Sequence, residues 1–547
     1  MDGKLIIGNE RIETSEKMVS LSPATLEPVG EVSLASSQEC QEAILAAKEA
    51  FPSWKALPLQ RKQEIFFEAK KILLRRGEEA AYLITIEKGS PLTESFSGEI
   101  FSSLGALDYY ARNLNKLLKP KPVKHSVSLF FHKKSSFRFD ALGPTLIISP
   151  WNFPFLIALY DVMSALASGN TIILRPSSST PFTGLLLGEI FMEAGLPAGV
   201  LNVINCKVSQ AEEMITNPDV QTVMFTGSVS TGKRIMELAS QNLTNITLEL
   251  GGKDPMVVCE DADLERAVRG AVWAGFMNCG QSCGAVERVY VAREIADEFT
   301  DKLVDLTKKI KVGDPLEPDV NMGPMATLSQ LKIVENHIQE SKEKGAQILW
   351  GGKRIQDLPG YFLEPTVLTW VDHSMKIMKE ETFGSTLPIM TFSDPEEAVA
   401  LANDSSLGLT ASAWTRSKKT ASWMTDRIEA GSVTVNDHMF SFVEPGAIWG
   451  GIKQTGKGRS HGPFGLQELV NVKLVSFDFL KKKIQIWWFP YDKELFPLLK
   501  KSATLFYHDQ ILERWKALFS LASSLRPITE GSPLANYIKS LPRFLRK

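Results

Sequence analysis

Two cysteines lie four residues apart in the segment FMNCGQSCGAVERVYV, which runs from residue 276 to residue 291. The whole chain of 547 residues has only 5 cysteines, so a pair at this spacing asks for a chemical explanation. Cys279 and Cys283 could be metal ligands, a disulfide, a nucleophile with a neighbour, or two small buried side chains. A metal site needs three or four ligands at suitable spacing, and the scattered histidines form no HExxH or similar pattern. No metal is therefore predicted.

Cys283 has the surroundings that a catalytic thiol needs. Gly280 and Gly284 flank it and leave the backbone open to a substrate and to the oxyanion that attack would create. An unperturbed thiol with a pKa near ~8.5 is only about 3% thiolate at pH 7, so a neighbouring group must activate it. Glu249, at the end of the apolar run TLELGGK, is a candidate base because burial would raise its pKa towards neutral pH.

The elements around these residues alternate regularly. Short apolar runs rich in Ile, Val and Thr lie at 144–149, 170–176, 199–205, 222–228 and 245–252, with helically spaced segments between them. Continuous apolar strands alternating with helices predict a parallel sheet covered on both faces, which is a doubly wound α/β unit. Such sheets bind ligands at the carboxyl ends of their strands, where this chain has SPWNFP, RPSSSTP, FTGSVSTG and LELGGK.

A second α/β unit follows the first. PMVVCE and VERVYVA are predicted strands, and DADLERAVRGAVWAGF is the predicted helix between them. Residues 125–140 are interpreted as paired strands that leave the first unit. The uncharged stretch 141–160 is interrupted by prolines, so it is interpreted as a strand, a turn and the start of a helix rather than as a membrane span.

Composition and charge narrow the class of protein. A net charge of −2 argues against a nucleic-acid binder that uses the whole chain, which would show a strong basic excess. The cysteines have no framework spacing, which favours a reducing cytoplasm over a disulfide-stapled secreted protein. The N-terminal stretch MDGKLIIGNERIETSEK is charged and lacks a sustained apolar core, so no signal peptide is predicted.

Taken together, the motifs closely resemble those of the aldehyde dehydrogenase superfamily. FMNCGQSCGAVERVYV and TLELGGKDP are similar to its paired signatures, with Glu249 34 residues before Cys283. PWNFP, FTGSVSTG, KEETFG, GSVTVND and GGIKQTGKGRSHG match further family motifs in the family's order, and the resemblance covers about residues 20–475. It implies an α/β fold with two doubly wound domains, a small β oligomerisation element and a helical C-terminal tail.

The resemblance also implies a division into domains and a homodimer or homotetramer. The expected parts are a cofactor-binding domain at 1–122 and 142–250, a catalytic domain at 251–440, oligomerisation strands at 123–141 and 463–480, and a basic, aromatic extension at 481–547.

By resemblance, Cys283 attacks a small-molecule aldehyde to form a thiohemiacetal. The side-chain amide of Asn152 and the backbone N–H of Cys283 would hold its oxyanion. Hydride transfer to the cofactor would leave a thioester, and Glu249 would activate a water to release the carboxylic acid. Asn152 could otherwise be a turn residue before Pro154. Cys279 is interpreted as a small buried side chain, with redox protection of Cys283 as the alternative.

Seven residues are expected to contact the cofactor by resemblance. Trp151 would form a wall of the cofactor channel. Gly227 and Ser228 begin a helix whose N-terminus suits a pyrophosphate. Glu381 and Phe383 resemble the pair that grips the nicotinamide ribose and ring.

The remaining two, Arg175 and Ser178, depart from the family pattern. The family usually has Lys at the position of Arg175, where it binds the adenosine ribose, and Glu at the position of Ser178, where it repels a 2′-phosphate. A guanidinium suits phosphate, and no carboxylate opposes it here. The cofactor is therefore predicted to be NAD or NADP. The substrate remains open among aliphatic, aromatic and semialdehyde compounds.

Two rival interpretations involve the same fold. A CoA-acylating aldehyde dehydrogenase passes its thioester to CoA and usually lacks Glu at the position of Glu249. A catalytically silent structural protein would not need Cys283, Glu249 and Asn152 to be intact. Both are therefore disfavoured.

The C-terminal tail lies beyond the resemblance. From residue 476 onward it has 13 Lys and Arg residues against 6 Asp and Glu, a net charge of +7. It is also rich in aromatic residues, which include Trp487, Trp488, Phe489, Tyr491, Phe496, Phe506, Trp515 and Phe519. Disordered segments are usually poor in aromatics. Packing within or between subunits and peripheral contact with a membrane surface both remain open beside a solvated extension. The expected location is cytoplasmic, with a membrane surface as the alternative.

Overall fold

The computed structural model describes residues 2–126, 130, 132–479, 485, 488, 489, 491 and 493–524. Internal contacts divide the chain into two compact units. The larger unit contains Met1–Leu118 and Phe139–Asn471, and the smaller unit contains Lys119–Arg138 and Val472–Lys547. All of the candidate site residues lie in the larger unit.

The first sheet of the larger unit has eight strands, and five of them are the parallel strands that the apolar runs predict. In spatial order the strands are Glu10–Ile12, Leu5–Ile7, Leu201–Val203, Thr171–Arg175, Pro144–Ile148, Thr222–Thr226, Asn245–Glu249 and Gly456–Lys457. The central strand Pro144–Ile148 pairs in parallel with the strands on both of its sides. The direction of winding reverses there, so a ligand crevice is expected at its carboxyl end.

Side chains of this central strand alternate between two hydrophobic cores. Ile147 packs in the core that contains the helix Leu156–Ser168. Leu146 and Ile148 pack in the core on the other face, together with Ala43 of the first helix. Successive side chains of a strand point to opposite faces, so helices cover both faces of this sheet. The predicted doubly wound arrangement is confirmed.

The second sheet has seven strands and is built in the same way. In spatial order they are Gln347–Trp350, Thr366–Thr369, Thr386–Phe392, Arg288–Ala292, Pro255–Val258, Thr410–Trp414 and Ser432–Val435. Only the edge strand Gln347–Trp350 is antiparallel. Two short antiparallel pairs complete the strands of this unit, Lys17–Leu21 with Pro28–Ser33 and Leu407–Gly408 with Ile452–Lys453.

Helices connect and cover these strands. The α-helices of the larger unit are Ser37–Ala56, Leu59–Arg75, Gly77–Lys88, Leu92–Glu94, Ser102–Leu117, Leu156–Ser168, Pro181–Glu193, Val208–Ile215, Val229–Ala239, Leu264–Phe276, Ala296–Thr307, Leu328–Glu343, Lys376–Lys379, Pro395–Asn403, Lys418–Thr425, Phe440–Val443 and Gly462–Glu468. Ser95–Phe101 is a π-helical stretch, and Met277–Gly280 and Arg293–Ile295 are 3₁₀ turns. The helix Leu156–Ser168 ends at Gly169, whose φ of 92° is favourable for glycine.

Two segments differ from the sequence expectation. The strands Leu5–Ile7 and Glu10–Ile12 were not predicted, and Ile6 pairs antiparallel with Val203 at the edge of the first sheet. Within 463–480 the strand begins only at Val470, because Gly462–Glu468 forms a helix. Proline is favoured in the first turn of a helix, where Pro463 lies. The uncharged stretch 141–160 is a strand followed by a helix, as predicted.

The smaller unit contains a three-stranded sheet and two helices. The strands are Lys121–Val123, Lys133–Ala141 and Val470–Asp478, with Lys133–Ala141 in the middle. The helices are Leu495–Tyr507 and Ile511–Ser524. Trp487 lies outside the described residues. No helix in the described part of the chain is both long and apolar enough to cross a membrane.

Candidate active site

A cleft of about 320 Å³ opens at the carboxyl ends of the central strands of the first sheet. Its lining residues are Pro150, Trp151, Asn152, Thr226, Gly227, Ser228, Glu249, Leu250, Gly251, Cys283, Gln330, Ile333, Glu381 and Phe383. Eight of the ten residues predicted to form the site line this cleft together. The other two, Arg175 and Ser178, lie outside its lining.

The loop that carries Cys283 begins with an unusual turn. Asn278, Cys279 and Gly280 have φ values of 56°, 57° and 72° in succession. The left-handed region is uncommon for residues other than glycine, and such strain is often found at functional sites. The turn directs the chain from the helix Leu264–Phe276 back towards the cleft.

Amide side chains brace this turn against the segment PWNFP. Asn278 Nδ2 donates hydrogen bonds of 3.0 Å to the carbonyl oxygens of Asn152 and of Gln281. Asn152 Nδ2 donates a hydrogen bond of 3.1 Å to the same carbonyl of Gln281. Asn152 is therefore fixed beside the loop of Cys283 and lines the cleft. Asn278 and Gln281 were not singled out from the sequence, because amides in turns are common.

Cys279 points away from the cleft. Its thiol is buried and lies 3.0 Å from the carbonyl oxygen of Gly323 and 3.3 Å from that of Pro324. Burial raises the pKa of this thiol well above its ordinary value, which keeps it protonated. Cys279 is therefore a buried structural side chain and does not line the cleft.

Glu249 ends its strand inside the cleft and is 4% exposed. Neither of its carboxyl oxygens has a hydrogen-bond partner among the described residues. Burial, followed by the negative charge of Asp161, raises the pKa of Glu249 well above its ordinary value. The loops of Glu249 and Cys283 also meet, because a Cβ at Gly252 would lie 2.4 Å from the carbonyl oxygen of Cys283. Only glycine permits that approach.

The thiol of Cys283 is also strongly perturbed. Burial and the nearby carboxylates of Asp254, Glu381 and Glu249 raise its pKa well above the ordinary value. The resting thiol is therefore protonated and needs a proton acceptor before it can attack. Glu249 and Glu381 both line the same cleft and are candidates by position.

A buried ion pair holds the loop that carries Glu381. Lys253 Nζ lies 2.5 Å from Glu287 Oε2. The Glu287 carboxylate accepts hydrogen bonds of 2.9 Å and 2.7 Å from the N–H groups of Thr382 and Phe383. Both partners of this ion pair are buried. Sequence reasoning missed the pair, since 34 residues separate its members and no local pattern joins them.

Two aromatic rings and a helix N-terminus line the cleft. The rings of Trp151 and Phe383 meet edge to face with centroids 5.5 Å apart. Ser228 caps the helix Val229–Ala239, and its Oγ accepts a hydrogen bond of 3.3 Å from Thr231 N. The partial positive charge of such a helix end attracts an anion.

Arg175 lies at the end of the strand next to the central one. Its Nη2 donates a hydrogen bond of 3.0 Å to the carbonyl of Cys206, and its buried Nε has no acceptor among the described residues. Ser178 follows in the next loop and is itself exposed. Both residues stay near the strand end that is expected to hold an adenosine ribose.

Comparison with known proteins identifies the family. The sequence model of the aldehyde dehydrogenase family matches residues 11–475. The chain belongs to the aldehyde dehydrogenase family. The predicted resemblance, the fold and the oxidation of an aldehyde are thereby confirmed.

Relatives of this aldehyde dehydrogenase cover most of its length. Aminoaldehyde dehydrogenase 1, peroxisomal, of Pisum sativum is 36% identical over 481 residues, which are 86% of this chain and 94% of the relative. An NADP-dependent enzyme of E. coli has 32% identity and a TM-score of 0.84 over 87% of this chain and 98% of its own. Betaine aldehyde dehydrogenase of Staphylococcus aureus, solved with NAD+, has 32% identity and a TM-score of 0.84 over 89% of this chain and 96% of its own.

Proposed function

We propose that this aldehyde dehydrogenase oxidises its substrate through a thiol nucleophile at Cys283, with Glu249 as the base and Asn152 as an oxyanion donor. The observation that supports this assignment is the position of all three side chains on one cleft. A nucleophile, a base and an oxyanion donor around one reaction centre are the parts that acyl transfer requires.

The proposed reaction has two stages. The sulfur of Cys283 adds to the aldehyde carbon, and the thiol proton is released to solvent. The amide of Asn152 and the N–H of Cys283 donate to the developing oxyanion, each worth a few kcal/mol (roughly 3) in comparable sites. After oxidation to a thioester, Glu249 takes a proton from water, whose oxygen displaces the sulfur and releases the acid.

NAD+ or NADP+ supplies the hydride acceptor when bound. The cleft fits such a group, since the helix N-terminus at Ser228, which favours an anion, and the carboxylate of Glu381 line the same space. Gly227 also lines this space and packs closely on the ring of Phe225, because a Cβ on it would lie 2.4 Å from that ring. Ser228 would hold the pyrophosphate, and Glu381 would hold a ribose hydroxyl. Solved relatives include an NADP-dependent enzyme and an NAD+ complex.

Hydrolysis is favoured over transfer to CoA. A base is needed only if water releases the acyl group, and Glu249 is buried with both oxygens free of partners among the described residues. A silent structural protein would have no use for that uncompensated carboxyl group.

A second cavity of about 270 Å³ supports a proposal about the substrate. Its lining is aromatic, with Phe153, Trp273 and Phe442, and it also includes the carboxylates of Glu94 and Asp437. Aromatic faces and carboxylates attract a cation. We propose an aldehyde that carries an amine or quaternary ammonium group, which agrees with the names of the pea and staphylococcal relatives.

A kinetic experiment tests both proposals. Glu249→Gln is expected to keep a rapid burst of reduced cofactor and to lose steady turnover, because the thioester still forms. An aminoaldehyde is expected to have at least about tenfold higher kcat/KM than the alkyl aldehyde of equal length, which corresponds to ~1.4 kcal/mol. Asp437→Asn should narrow that ratio and leave the alkyl aldehyde unchanged. Loss of the burst in Glu249→Gln contradicts the division of roles.

The smaller unit is proposed to bind other copies of the chain. Its edge strand Val470–Asp478 exposes Leu474 and Phe477, and the helices Leu495–Tyr507 and Ile511–Ser524 expose most of their aromatic rings. An exposed edge with apolar side chains is suited to pairing with another strand. A homodimer or homotetramer follows from this proposal, and contact with an anionic membrane is the alternative use of the basic tail. All five cysteines are free thiols in the structure, which supports a cytoplasmic location.

A further inference from the structure

A second carboxyl group is buried beside the proposed catalytic pair. Asp161 is the only charged residue in FLIALYDVMSALASG, and it lies on the helix Leu156–Ser168, in which every residue is buried. It is 2% exposed. Burying a carboxyl group without a function is costly, and the mechanism proposed above leaves this one unused.

Asp161 shares a small internal cavity with the reacting groups. The cavity measures about 10 Å³, and Asp161, Glu249 and Cys283 all line it. Tyr160, Ser460 and His461 also line it. One water needs roughly 10–15 Å³ of such space and several polar partners, so the volume of this cavity is at the lower limit for a single water.

Few other charged groups lie near the carboxyl groups of Asp161 and Glu249. The positive charge of Arg459 lowers the pKa of Glu249, whereas the negative charge of Glu468 raises it. Arg459 Nη1 is already committed to the carbonyl of Gly458 at 2.7 Å. His461 is neutral, because burial lowers its pKa to about 3, and it stacks on Tyr160 with ring centroids 4.3 Å apart.

The phenol of Tyr110 completes the groups near Asp161. Burial raises the pKa of Tyr110, and the carboxyl group of Asp161 adds to that rise. The phenol donates to or accepts from Ser164 at 2.7 Å and stays neutral. No described cation is therefore placed to neutralise Asp161 directly.

We propose that Asp161 and Glu249 form a proton-sharing carboxyl pair in which Asp161 controls when Glu249 can act as the base of the hydrolysis step. Asp161 acts through Glu249 and is a positioning residue in this sense. The inference rests on the proposed roles of Cys283 and Glu249.

The physical basis is the repulsion of two like charges in a buried site. Burial raises the pKa of Asp161 to about 8. The pKa of Glu249 is raised further by the charge of Asp161, so the first negative charge of the pair resides largely on Asp161. Two interacting carboxyl groups titrate as one system. Glu249 gains a charge only as the pH rises further.

The step that the pair controls is balanced as follows. A water oxygen adds to the acyl carbon of the thioester, and one water proton passes to ionised Glu249. The bond between the acyl carbon and the sulfur of Cys283 breaks, and the thiolate leaves with the electron pair. The acid product departs, and the proton held by the carboxyl pair returns to the sulfur. The net change is thioester plus water to acid plus thiol.

The test measures hydrolysis without the cofactor. With 4-nitrophenyl acetate, Cys283 is acylated in a burst of nitrophenolate, and the following steady rate reports hydrolysis. The steady rate is expected to fall towards acidic pH, and Asp161→Asn should move this acid limb of the pH–rate profile to lower pH by about one unit. At any one pH on the limb, the rate of the variant would then be about tenfold higher. Removing the competing charge lowers the pKa of Glu249. Asp161→Ser carries the same expectation if the Asn variant does not fold.

Two control variants separate this role from packing. Tyr160→Phe removes a hydroxyl that donates to the carbonyl of Val443 at 3.0 Å, changes the same cavity and adds no charge, so the limb should stay in place. Asp161→Glu keeps an ionisable group and should keep the limb within the range of the unaltered protein. A rate lowered equally at every pH in Asp161→Asn overturns the inference.

Failure of the inference can be distinguished from failure of the proposed function. If Cys283→Ala still gives a nitrophenolate burst, the assignment of the nucleophile is wrong. If Cys283→Ala gives no burst and Asp161→Asn keeps the original limb, the nucleophile stands and the carboxyl pair does not.

Discussion

Glu381 Oε1 accepts a hydrogen bond of 3.0 Å from the backbone N–H of Gly252, three residues after Glu249. The loop that carries the proposed cofactor carboxylate is thus tied to the strand that carries the proposed base. Glu287 holds the other side of the same loop through the N–H groups of Thr382 and Phe383. Movement of one loop therefore affects both the cofactor side and the hydrolytic side of the cleft.

This connection predicts the behaviour of Glu287→Gln. The substitution leaves Lys253 buried without its ion-pair partner, which typically costs about 3–5 kcal/mol. We expect a lower free energy of unfolding in urea and a higher KM for the cofactor, because the loop of Glu381 loses its anchor. Glu298→Gln is the matched control, since its exposed pair with Lys302 is worth about 0–1 kcal/mol. Equal effects of the two substitutions would contradict the anchoring role.

The two neighbouring cysteines should behave differently. Cys283→Ala is expected to abolish aldehyde oxidation, because no other thiol lines the cleft among the described residues. Cys279→Ala should keep most of the activity and lower stability by about 1 kcal/mol, since it removes only a buried thiol that contacts Gly323. Steady-state rates and urea unfolding check both outcomes. An inactive but folded Cys279→Ala protein would assign Cys279 a chemical role.

The buried carboxyl groups predict how stability depends on pH. The pKa of Asp161 is about 8 in the folded protein and close to 3.8 when exposed, so the folded state retains a proton that the unfolded state releases between those values. Stability is therefore fully present at the acidic end and falls as the pH rises through this window. Asp161→Asn removes this contribution. Urea unfolding at pH 5 and pH 8 should show a smaller loss of stability in the variant, and an unchanged loss would contradict the raised pKa.

The sequence predicts much of this arrangement because local patterns encode it. The apolar runs mark the parallel strands, and strand ends in a parallel sheet share one edge, which placed Asn152, Ser228 and Glu249 together in advance. Asp161 could not be assigned in this way. It lies within an apolar helical pattern, and only the folded chain, in which Asp161 and Glu249 line one cavity, gives it a chemical neighbour. The pair of Lys253 and Glu287 is likewise created by tertiary structure.

Cofactor choice can be tested at the strand end of Arg175. Arg175 keeps a guanidinium there, and Ser178 places no carboxylate against a 2′-phosphate. We expect kcat/KM with NADP within about tenfold of that with NAD, a difference of ~1.4 kcal/mol. Ser178→Glu should reduce the use of NADP and spare NAD, and Ser178→Gln controls for size. A preference of the unaltered protein for NAD far beyond this range would contradict the role of Arg175 and Ser178.

The C-terminal extension is expected to join subunits. Phe496 is 76% exposed and Phe519 is 70% exposed on their helices, so these rings are available to another surface. Burying such rings yields roughly 25 cal/mol per Å² of apolar area, which favours association of copies. Deletion of residues 481–547 should therefore lower the oligomer mass measured by light scattering and leave co-sedimentation with anionic vesicles unchanged.

Phe496→Ser together with Phe519→Ser should lower the oligomer mass by a smaller amount. Leu243→Ser, on an exposed turn of the larger unit, is the matched control. Unchanged mass with lost vesicle binding would assign the extension to a membrane surface, because its net positive charge suits anionic lipid.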